Sequence, residues 1–356
     1  MKKIGLIALT DKGFLLGEKI ATEYSNIDLL TVKARKDWHI EWDKLSVLVE
    51  DAFEKYDGLI FIMALGIVVR VIKENIKSKD LDPAIVVIDE QGRNTISVLS
   101  GHLGGGNNLT EEIAHFLKNN PVITTATDVN NIYALDSFAS DYGLEIEPVK
   151  NIKKFNSALL NGENIELILD ESIELPGKNR FDRFFSSSEL KGFITNKDIP
   201  SSKWDILLRP KNIIIGVGCK KNFSTDKFEQ NFLNTLKDNN ISLKSVKEIR
   251  SIQIKKEEQC ILDFSKKYKI PFVTFSSNEL NSVFNKNTML KKSQFVYKNT
   301  GTWGVAEPAA LFSENDNLYL ILSRKEIDGM TIAISEEKPF VIVKNDNRWL
   351  KRKEEK

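Results

Sequence analysis

The segment AIVVIDEQGRNTISVLSGHLGGGN, residues 84–107, contains the pattern from which the fold can be predicted. Two apolar runs, 84–88 and 95–99, flank the turn 89–92, and this arrangement is typical of a β-hairpin. The second run then enters a glycine-dense turn, after which apolar residues at helical spacing predict a helix over 109–117. The segment therefore combines two strands, a tight turn and a helix.

Strand and helix patterns alternate on both sides of this segment. Alternation of buried strands with helices implies a mainly parallel sheet covered on both faces. The predicted strands are 4–9, 28–33, 59–64 and 122–126, and the predicted helices are 14–24, 42–56, 67–76 and 132–142.

The pattern changes near residue 145, because 145–210 lacks long periodic runs and offers one strand candidate at 165–169. A second α/β pattern follows. Its predicted strands are 212–217, 246–252, 272–275, 318–322 and 330–334, and its predicted helices are 225–238, 257–268, 279–284 and 305–312. We therefore predict an α/β protein with two α/β domains, 1–144 and 211–345, and mainly parallel sheets. A small, less regular middle domain or linker at 145–210 joins them, and 346–356 forms a charged tail that is frayed from Trp349.

Composition excludes several classes of protein. The chain has 356 residues, a formal net charge of +1, and 28% charged residues, which gives no global attraction to nucleic acid or an anionic membrane. The longest apolar stretch, 58–69, is too short to span a bilayer, and the first residues lack a signal-peptide pattern. We expect a cytoplasmic protein that binds neither nucleic acid nor membrane.

The chain has two cysteines, Cys219 and Cys260, and their spacing matches no paired-ligand motif. This spacing predicts neither a disulfide framework nor a cysteine-based zinc site.

The glycine-dense turn is the first candidate site. Glycines let a ligand approach the backbone, and a helix start supplies free N–H groups to anions. His102 lies inside the turn, and a base beside an oxyanion hole is a plausible architecture for catalysis. A P-loop is excluded, because Asn107 and Asn108 stand where Lys and Ser or Thr are required. The alternative is a tight connection in which His102 serves a backbone carbonyl.

Two further segments follow predicted strands, whose carboxyl ends collect ligands in α/β sheets. Thr125, Thr127 and Asp128 end the predicted strand 122–126, so Asp128 shares a rim with His102 if that strand neighbours 96–99. The alternative is that Thr127 or Asp128 caps the next helix. Gly66 and Arg70 follow strand 59–64 and are placed on the ligand rim too, with the Arg70 fork suited to a carboxylate. The sequence is equally compatible with an Arg70 that lies on the helix surface and has no partner.

In the C-terminal half, 216–221 again connects a strand to a helix. Lys221 occupies the third glycine position of a dinucleotide fingerprint, which argues against a nucleotide-binding oxidoreductase. Cys219 is either a thiol with a lowered pKa, beside Lys220, or a small buried residue at a tight turn. Glu307 precedes Pro308 at a predicted helix start, where it is either an acid or base facing a cleft or a charge complementing the helix dipole.

Taken together, these runs resemble the CbiG family of cobalt-precorrin 5A hydrolases over about residues 50–335. The order of the runs is specific, although each alone is weak. The sequence departs from the family pattern at Gly106, where Ala is frequent, and at Lys220 and Lys221, where Arg is common. The resemblance rests on the runs 66–70, 82–87, 100–107, 122–128, 215–221, 251–257 and 305–311.

The resemblance implies a hydrolase of anaerobic cobalamin biosynthesis. It would open the ring A δ-lactone of cobalt-precorrin 5A with water and release a two-carbon unit as acetaldehyde, giving cobalt-precorrin 5B. The cobalt belongs to the substrate, so neither a cofactor nor a metal site of the protein is expected. Expected partners are the tetrapyrrole substrate and, transiently, other enzymes of the pathway. A non-catalytic carrier of corrinoid intermediates is the alternative.

Site residues follow from the motifs and the resemblance together. The catalytic candidates are His102, Asp128 and Glu307. We further predict that Glu307 and 218–221 face the same cleft as His102, and that Gly104 and Gly105 offer N–H groups to a carboxylate or oxyanion. The substrate-binding candidates are Gly66, Arg70, Gly101, Gly104, Gly105, Asn107, Thr125, Thr127, Gly218, Cys219, Lys220 and Lys221.

Overall fold

The computed structural model describes residues 2–30, 42–78, 81–102, 104–130, 132–200, 203–313, 317–338, 340–344 and 348–352, with only the backbone of 42 and 43. They belong to two compact units. The first unit contains Met1–Tyr142, Ile152–Gly162 and Lys344–Lys356, and the second contains Gly143–Asn151 and Glu163–Val343. The predicted middle segment is thus divided between the units. Residues 31–33 of a predicted strand, and Leu103 of the glycine-dense turn, lie outside the described residues.

The first unit alternates strands and helices along the chain. Its elements are β1 (Ile4–Ala8), α1 (Asp11–Glu23), β2 (Ile27–Leu30), α2 (Trp42–Lys55), β3 (Gly58–Ile62), α3 (Leu65–Ile72), β4 (Ala84–Ile88), β5 (Asn94–Leu99), α4 (Gly106–Leu117), β6 (Asn120–Val122), α5 (Ala126–Val129), α6 (Leu135–Asp141) and, after the excursion Gly143–Asn151, α7 (Ile152–Leu160).

The strands form a sheet in the order β2-β1-β3-β4-β5-β6. Helices pack on both of its faces. Successive side chains of a strand point to opposite faces. Leu59 and Phe61 of β3 accordingly pack with residues of α2 and α3, whereas Ile60 and Ile62 pack with residues of α1 and α4. This two-sided burial explains the continuous apolar runs in the sequence.

The predicted hairpin is confirmed, and it reverses the direction of the chain within the sheet. Strands β1 to β4 are parallel, β5 is antiparallel to β4, and β6 is parallel to β5. The carboxyl end of β5 therefore lies where β4 begins, and the Ser100 hydroxyl donates to the Asp82 carbonyl there at 3.0 Å.

This reversal changes which of the predicted site residues lie at the same end of the strands. Gly66 and Arg70 follow the carboxyl end of β3, whereas His102 follows the carboxyl end of the reversed β5. The two positions therefore lie beyond opposite ends of the strands, separated by the length of a strand, roughly 15 Å. The prediction that Gly66 and Arg70 share the rim of His102 is therefore wrong.

The predicted strand 122–126 is also wrong beyond Val122. The N–H groups of Val129 and Asn130 donate to the carbonyls of Thr125 and Ala126, which starts α5 instead. Residues 123–125 connect β6 to this helix and belong to neither element, although their β-branched side chains favour a strand.

The second unit contains the remaining helices and strands. They are β7 (Leu144–Glu147), β8 (Glu166–Leu169), β9 (Ile173–Glu174), β10 (Lys191–Ile194), β11 (Ile206–Pro210), β12 (Ile213–Cys219), α8 (Thr225–Asp238), β13 (Val246–Ile252), α9 (Gln259–Tyr268), β14 (Phe272–Phe275), α10 (Ser277–Lys286), α11 (Gln294–Thr300), α12 (Ala306–Leu311), β15 (Leu318–Ile327), β16 (Met330–Glu337) and β17 (Phe340–Val341).

The strands of the second unit form two larger sheets and one pair. In the sheet β7-β11-β10-β8, the last three strands are parallel and β7 is antiparallel to β11. In the sheet β14-β13-β12-β16-β15, β12 to β14 are parallel and β15–β16 is an antiparallel hairpin. Strands β9 and β17 pair with each other.

The predicted α/β class with mainly parallel sheets is confirmed in these units. None of the described helices is both long and apolar enough to cross a membrane.

The segment from Trp349 to Arg352 is held by backbone hydrogen bonds to the rest of the first unit, so the prediction of a frayed end is wrong for these residues. The Trp349 side chain is 2% exposed and lies against Gly58, with the Lys2 ammonium 3.9 Å from the centre of its ring. The Glu112 carboxylate accepts hydrogen bonds from the backbone N–H groups of Trp349 and Leu350. The sequence pattern missed this because a single aromatic residue among charges has no periodicity.

Replacing Trp349 tests this packing. We expect Trp349→Ala to lower the free energy of unfolding by about 3–5 kcal/mol, because it removes a large buried ring. The exposed Lys351 provides a matched control, because Lys351→Ala should change the free energy of unfolding by no more than about 0.5 kcal/mol. Denaturant unfolding of both variants gives the comparison, and equal small losses would contradict the buried position of Trp349.

Candidate active site

The turn between β5 and α4 is closed by its own backbone. Ser100 adopts a left-handed conformation with φ of 55°. The N–H groups of Gly105, Gly106 and Asn107 donate to the carbonyls of His102, Ser100 and Gly101, respectively. These bonds fix the path of the backbone on both sides of His102.

His102 lies between two carboxylates. Its Nε2 atom is 2.6 Å from Oδ2 of Asp128, and its Nδ1 atom is 3.2 Å from Oδ2 of Asp136. The Thr127 hydroxyl lies 3.2 Å from Nε2. The predicted proximity of Asp128, Thr127 and His102 is therefore observed, since α5 follows β6 and β6 neighbours β5.

The two carboxylates determine the protonation of His102. Burial by itself lowers the pKa of the imidazole, but hydrogen bonds and charge interactions with Asp136 and then Asp128 outweigh it and raise the pKa to about 9. At neutral pH the ring is consequently an imidazolium, and both of its nitrogens donate. A protonated His102 serves as a hydrogen-bond donor or acid, and it cannot accept a proton as a base.

The two carboxylates differ in exposure. The Asp136 side chain is 6% exposed, whereas that of Asp128 is 39% exposed. Asp128 is held on a third side by the Asn107 amide, which donates to its Oδ2 at 3.1 Å and also to the Thr125 hydroxyl. Asp128 is thus an oriented carboxylate that solvent and ligands can reach.

Asn107 is itself positioned by the turn and by β5. Its Oδ1 accepts a hydrogen bond of 2.7 Å from the Ser97 hydroxyl. A Cβ atom at Gly101 would lie 2.7 Å from the same Oδ1, so glycine at this position makes room for the amide. These contacts give Asn107 and Gly101 a supporting role in the site.

Asp136 and Asn156 also belong to the site, and neither was predicted from the sequence. The Asn156 amide donates to Oδ1 of Asp136 at 2.9 Å, and its Oδ1 accepts from the backbone N–H of Leu135. Asp136 begins a helix, where an acidic residue is common for reasons of the dipole alone. No spacing in the sequence distinguishes this carboxylate from such a charge.

The predicted anion-binding role of Gly105 is not supported by its surroundings. Its N–H group already donates to the backbone carbonyl of His102. A Cβ atom at this position would lie 2.8 Å from Nε1 of Trp349. Its positive φ of 78° also favours glycine. At Gly104, a Cβ atom would lie 2.4 Å from Cβ of Ser100, so this glycine permits the turn to close.

Gly66 and Arg70 lie away from His102, at the first and last turns of α3. A Cβ atom at Gly66 would meet no atom within 4 Å, and Arg70 is exposed. Within the described part of the chain, the Arg70 side chain has no hydrogen-bond or ion-pair partner.

The C-terminal candidates lie in the second unit. Gly216 and Gly218 allow close packing, because Cβ atoms there would collide with the backbone of Ala306 and with the Thr331 hydroxyl, respectively. The Glu307 carboxylate accepts a hydrogen bond of 3.0 Å from the backbone N–H of Arg324 in β15. Lys220 and Lys221 are exposed. A cleft shared by Glu307, 218–221 and His102 stays a prediction.

The pKa of the Cys219 thiol is lowered, as one of the two sequence interpretations proposed, but not by Lys220. The first cause is a hydrogen bond with Cys260, and the charge of Lys255 adds to it against the effect of burial.

Comparison with known proteins gives matches along most of the chain. Three family models match: "Cobalamin synthesis G N-terminal" at residues 47–128, "Cobalamin biosynthesis central region" at 133–210 and "Cobalamin synthesis G C-terminus" at 213–335. The chain is 37% identical over 308 residues to the cobalt-precorrin-5A hydrolase of Priestia megaterium, a match that covers 81% of each chain.

Two further relatives match over longer spans. The probable cobalt-precorrin-5A hydrolase of Methanocaldococcus jannaschii is 31% identical over 335 residues, covering 90% of this chain and 96% of that protein. The cobalt-precorrin-5A hydrolase of Salmonella typhimurium is 30% identical over 348 residues, covering 94% and 97%, respectively.

The raised pKa of His102 can be measured directly, because the chain has three histidines and their ring signals are separable by NMR. We expect Asp136→Asn to shift the His102 titration midpoint from about 9 towards 6.5, because it removes the buried partner of Nδ1. Glu111→Gln, an exposed change on α4, is the matched control and should leave the midpoint unchanged. A wild-type midpoint near 6.5 would contradict the double pairing.

Proposed function

Since this chain belongs to the CbiG family of cobalamin biosynthesis, we propose that it is a hydrolase whose substrate is cobalt-precorrin 5A. Water opens the ring A δ-lactone, and a two-carbon unit leaves as acetaldehyde, giving cobalt-precorrin 5B. The observation that carries the proposal is the Asp136–His102–Asp128 arrangement, in which a fixed imidazolium lies beside a reachable carboxylate.

The two groups serve opposite needs of lactone hydrolysis. Asp128, oriented by Asn107, accepts a proton from the attacking water as its oxygen adds to the lactone carbonyl carbon. When the substrate binds, the Nε2–H group of His102, which is bonded to Asp128 in the free protein, donates instead to the carbonyl oxygen, where negative charge develops. Asp136 keeps the imidazolium in place from the buried side.

Collapse of the intermediate completes the first step. The ring carbon–oxygen bond breaks, and the leaving oxygen takes the proton held by Asp128. The products of this step are a carboxyl group and a hydroxyl on the two-carbon unit, and the enzyme returns to its starting protonation.

The second step releases acetaldehyde. Loss of the hydroxyl proton and cleavage of the neighbouring carbon–carbon bond turn the hydroxyl carbon into the aldehyde carbon, while the macrocycle keeps the electron pair and takes a proton. An acid is needed for that last transfer, and Glu307 remains the candidate predicted from the sequence.

Binding of the substrate carboxylates requires cations. Lys220 and Lys221 are exposed and remain the candidates for this role. A cytoplasmic location, the absence of a cofactor and transient contacts with other pathway enzymes stay predictions from the sequence.

Trapping acetaldehyde tests the proposal. Purified protein mixed with cobalt-precorrin 5A should release acetaldehyde, and Asp128→Asn should slow the release about 100- to 10,000-fold, because it removes the base. Asp51→Asn, an exposed change on α2, is the control and should retain the wild-type rate. Tight binding without acetaldehyde would contradict a hydrolase and support the carrier.

A further inference from the structure

The fold brings together two cysteines that are far apart in sequence. Cys219 ends β12, and Cys260 lies in the first turn of α9. One ligand atom from each of Cys219, Cys260 and Glu258 lies within 4.8 Å of the other two. These are the two cysteines of the chain, and neither thiol takes part in the proton transfers of the proposed hydrolysis.

We propose that Cys219, Cys260 and Glu258 form a binding site for a thiophilic divalent metal ion, with Zn²⁺ as the fitting cation. Two sulfurs and one carboxylate oxygen are a donor set that zinc prefers. Zinc–sulfur bonds of about 2.3 Å put tetrahedral ligand atoms roughly 3.8 Å apart. The three ligand atoms lie within 4.8 Å of one another, so each pair has to close by at most about 1 Å to reach that spacing.

Charge balance favours a divalent ion here. Two thiolates and one carboxylate carry three negative charges, and Lys255 contributes one positive charge through its 2.7 Å bond to Glu258. A divalent cation makes the cluster neutral, which matters because Cys260 is fully buried and an unbalanced buried charge is costly.

The carboxylate is held in place by groups around it. Its Oε1 accepts a hydrogen bond of 3.1 Å from the backbone N–H of Phe223, and its Oε2 accepts from Lys255. Such outer contacts orient metal ligands. Cys219 is half-buried, so a fourth position on the ion is open to water or a ligand on that side.

The site would join three segments of the second unit: the end of β12, the loop at Phe223 and the start of α9. This inference is independent of the proposed hydrolysis, because no residue of the His102 cluster belongs to it. It also differs from the sequence expectation, which found no ligand spacing because the cysteines come from separate elements.

Metal titration of the full chain tests the proposal. Reduced, chelator-treated protein should bind one Zn²⁺ per chain in competition with a chromophoric chelator. Co²⁺ alone should give a thiolate-to-metal charge-transfer absorption that is absent in the Cys219→Ser, Cys260→Ser double variant.

Single changes identify the ligands. Cys219→Ser and Glu258→Gln should each weaken Zn²⁺ affinity by at least the roughly 10- to 100-fold that loss of a supporting residue costs. The exposed Glu257, next to Glu258, supplies a control, because Glu257→Gln should leave the Zn²⁺ affinity unchanged. Circular dichroism checks that each variant is folded.

Two results would overturn the proposal. One is reduced protein that binds no Zn²⁺, including the case in which the cysteines instead form a disulfide on exposure to peroxide. The other is Zn²⁺ binding that persists with wild-type affinity when both cysteines are replaced.

Discussion

The pairing of His102 with two carboxylates is the interaction on which the candidate site depends. A mostly buried imidazolium is stable only while its charge is compensated, and removing one partner of such a pair leaves the other uncompensated. Asp136 provides the buried contact and Asp128 the accessible one. The backbone hydrogen bonds of the turn between β5 and α4 hold the His102 ring between these two carboxylates. The glycines of this turn therefore contribute mainly by the space that they leave, for the Asn107 amide at Gly101 and for Trp349 at Gly105.

The same pairing links protonation to stability. The pKa of His102 is raised from its ordinary value of 6.5 to about 9, so the protonated ring is favoured in the folded chain. The resulting stabilisation is fully present below about pH 6.5 and is lost as the pH rises through about 9. Within the neutral range, His102 can therefore donate a hydrogen bond to a developing oxyanion, and the proton-accepting role passes to Asp128. This assignment divides the acid and base functions between neighbours whose surroundings differ.

Much of the fold could be predicted from periodicity, and the sites only in part. Thr225–Asp238 and Val246–Ile252 have the bounds that the pattern predicts, because each is a strongly periodic segment between clear breaks. The hairpin could be predicted too, but its effect on the position of Gly66 depends on strand order, which local patterns do not contain. The contact of Asp128 with His102 followed from neighbouring strands. The role of Asp136 and the approach of Cys219 to Cys260 could not be predicted, since each depends on contacts between elements that are far apart in the sequence.

The dependence of turnover on pH tests the central claim most directly. The rate of acetaldehyde release at limiting cobalt-precorrin 5A, which is proportional to kcat/KM, reports the groups that titrate in the free enzyme. If His102 acts in its protonated form, the rate stays constant as the pH rises through 7 and falls as it passes about 9, the pKa that the two carboxylates impose. A rate that instead climbs between pH 6 and 7 and shows no fall near 9 would mean that neutral His102 is the base, and it would contradict the assignment of the donor role to His102 and of the base role to Asp128.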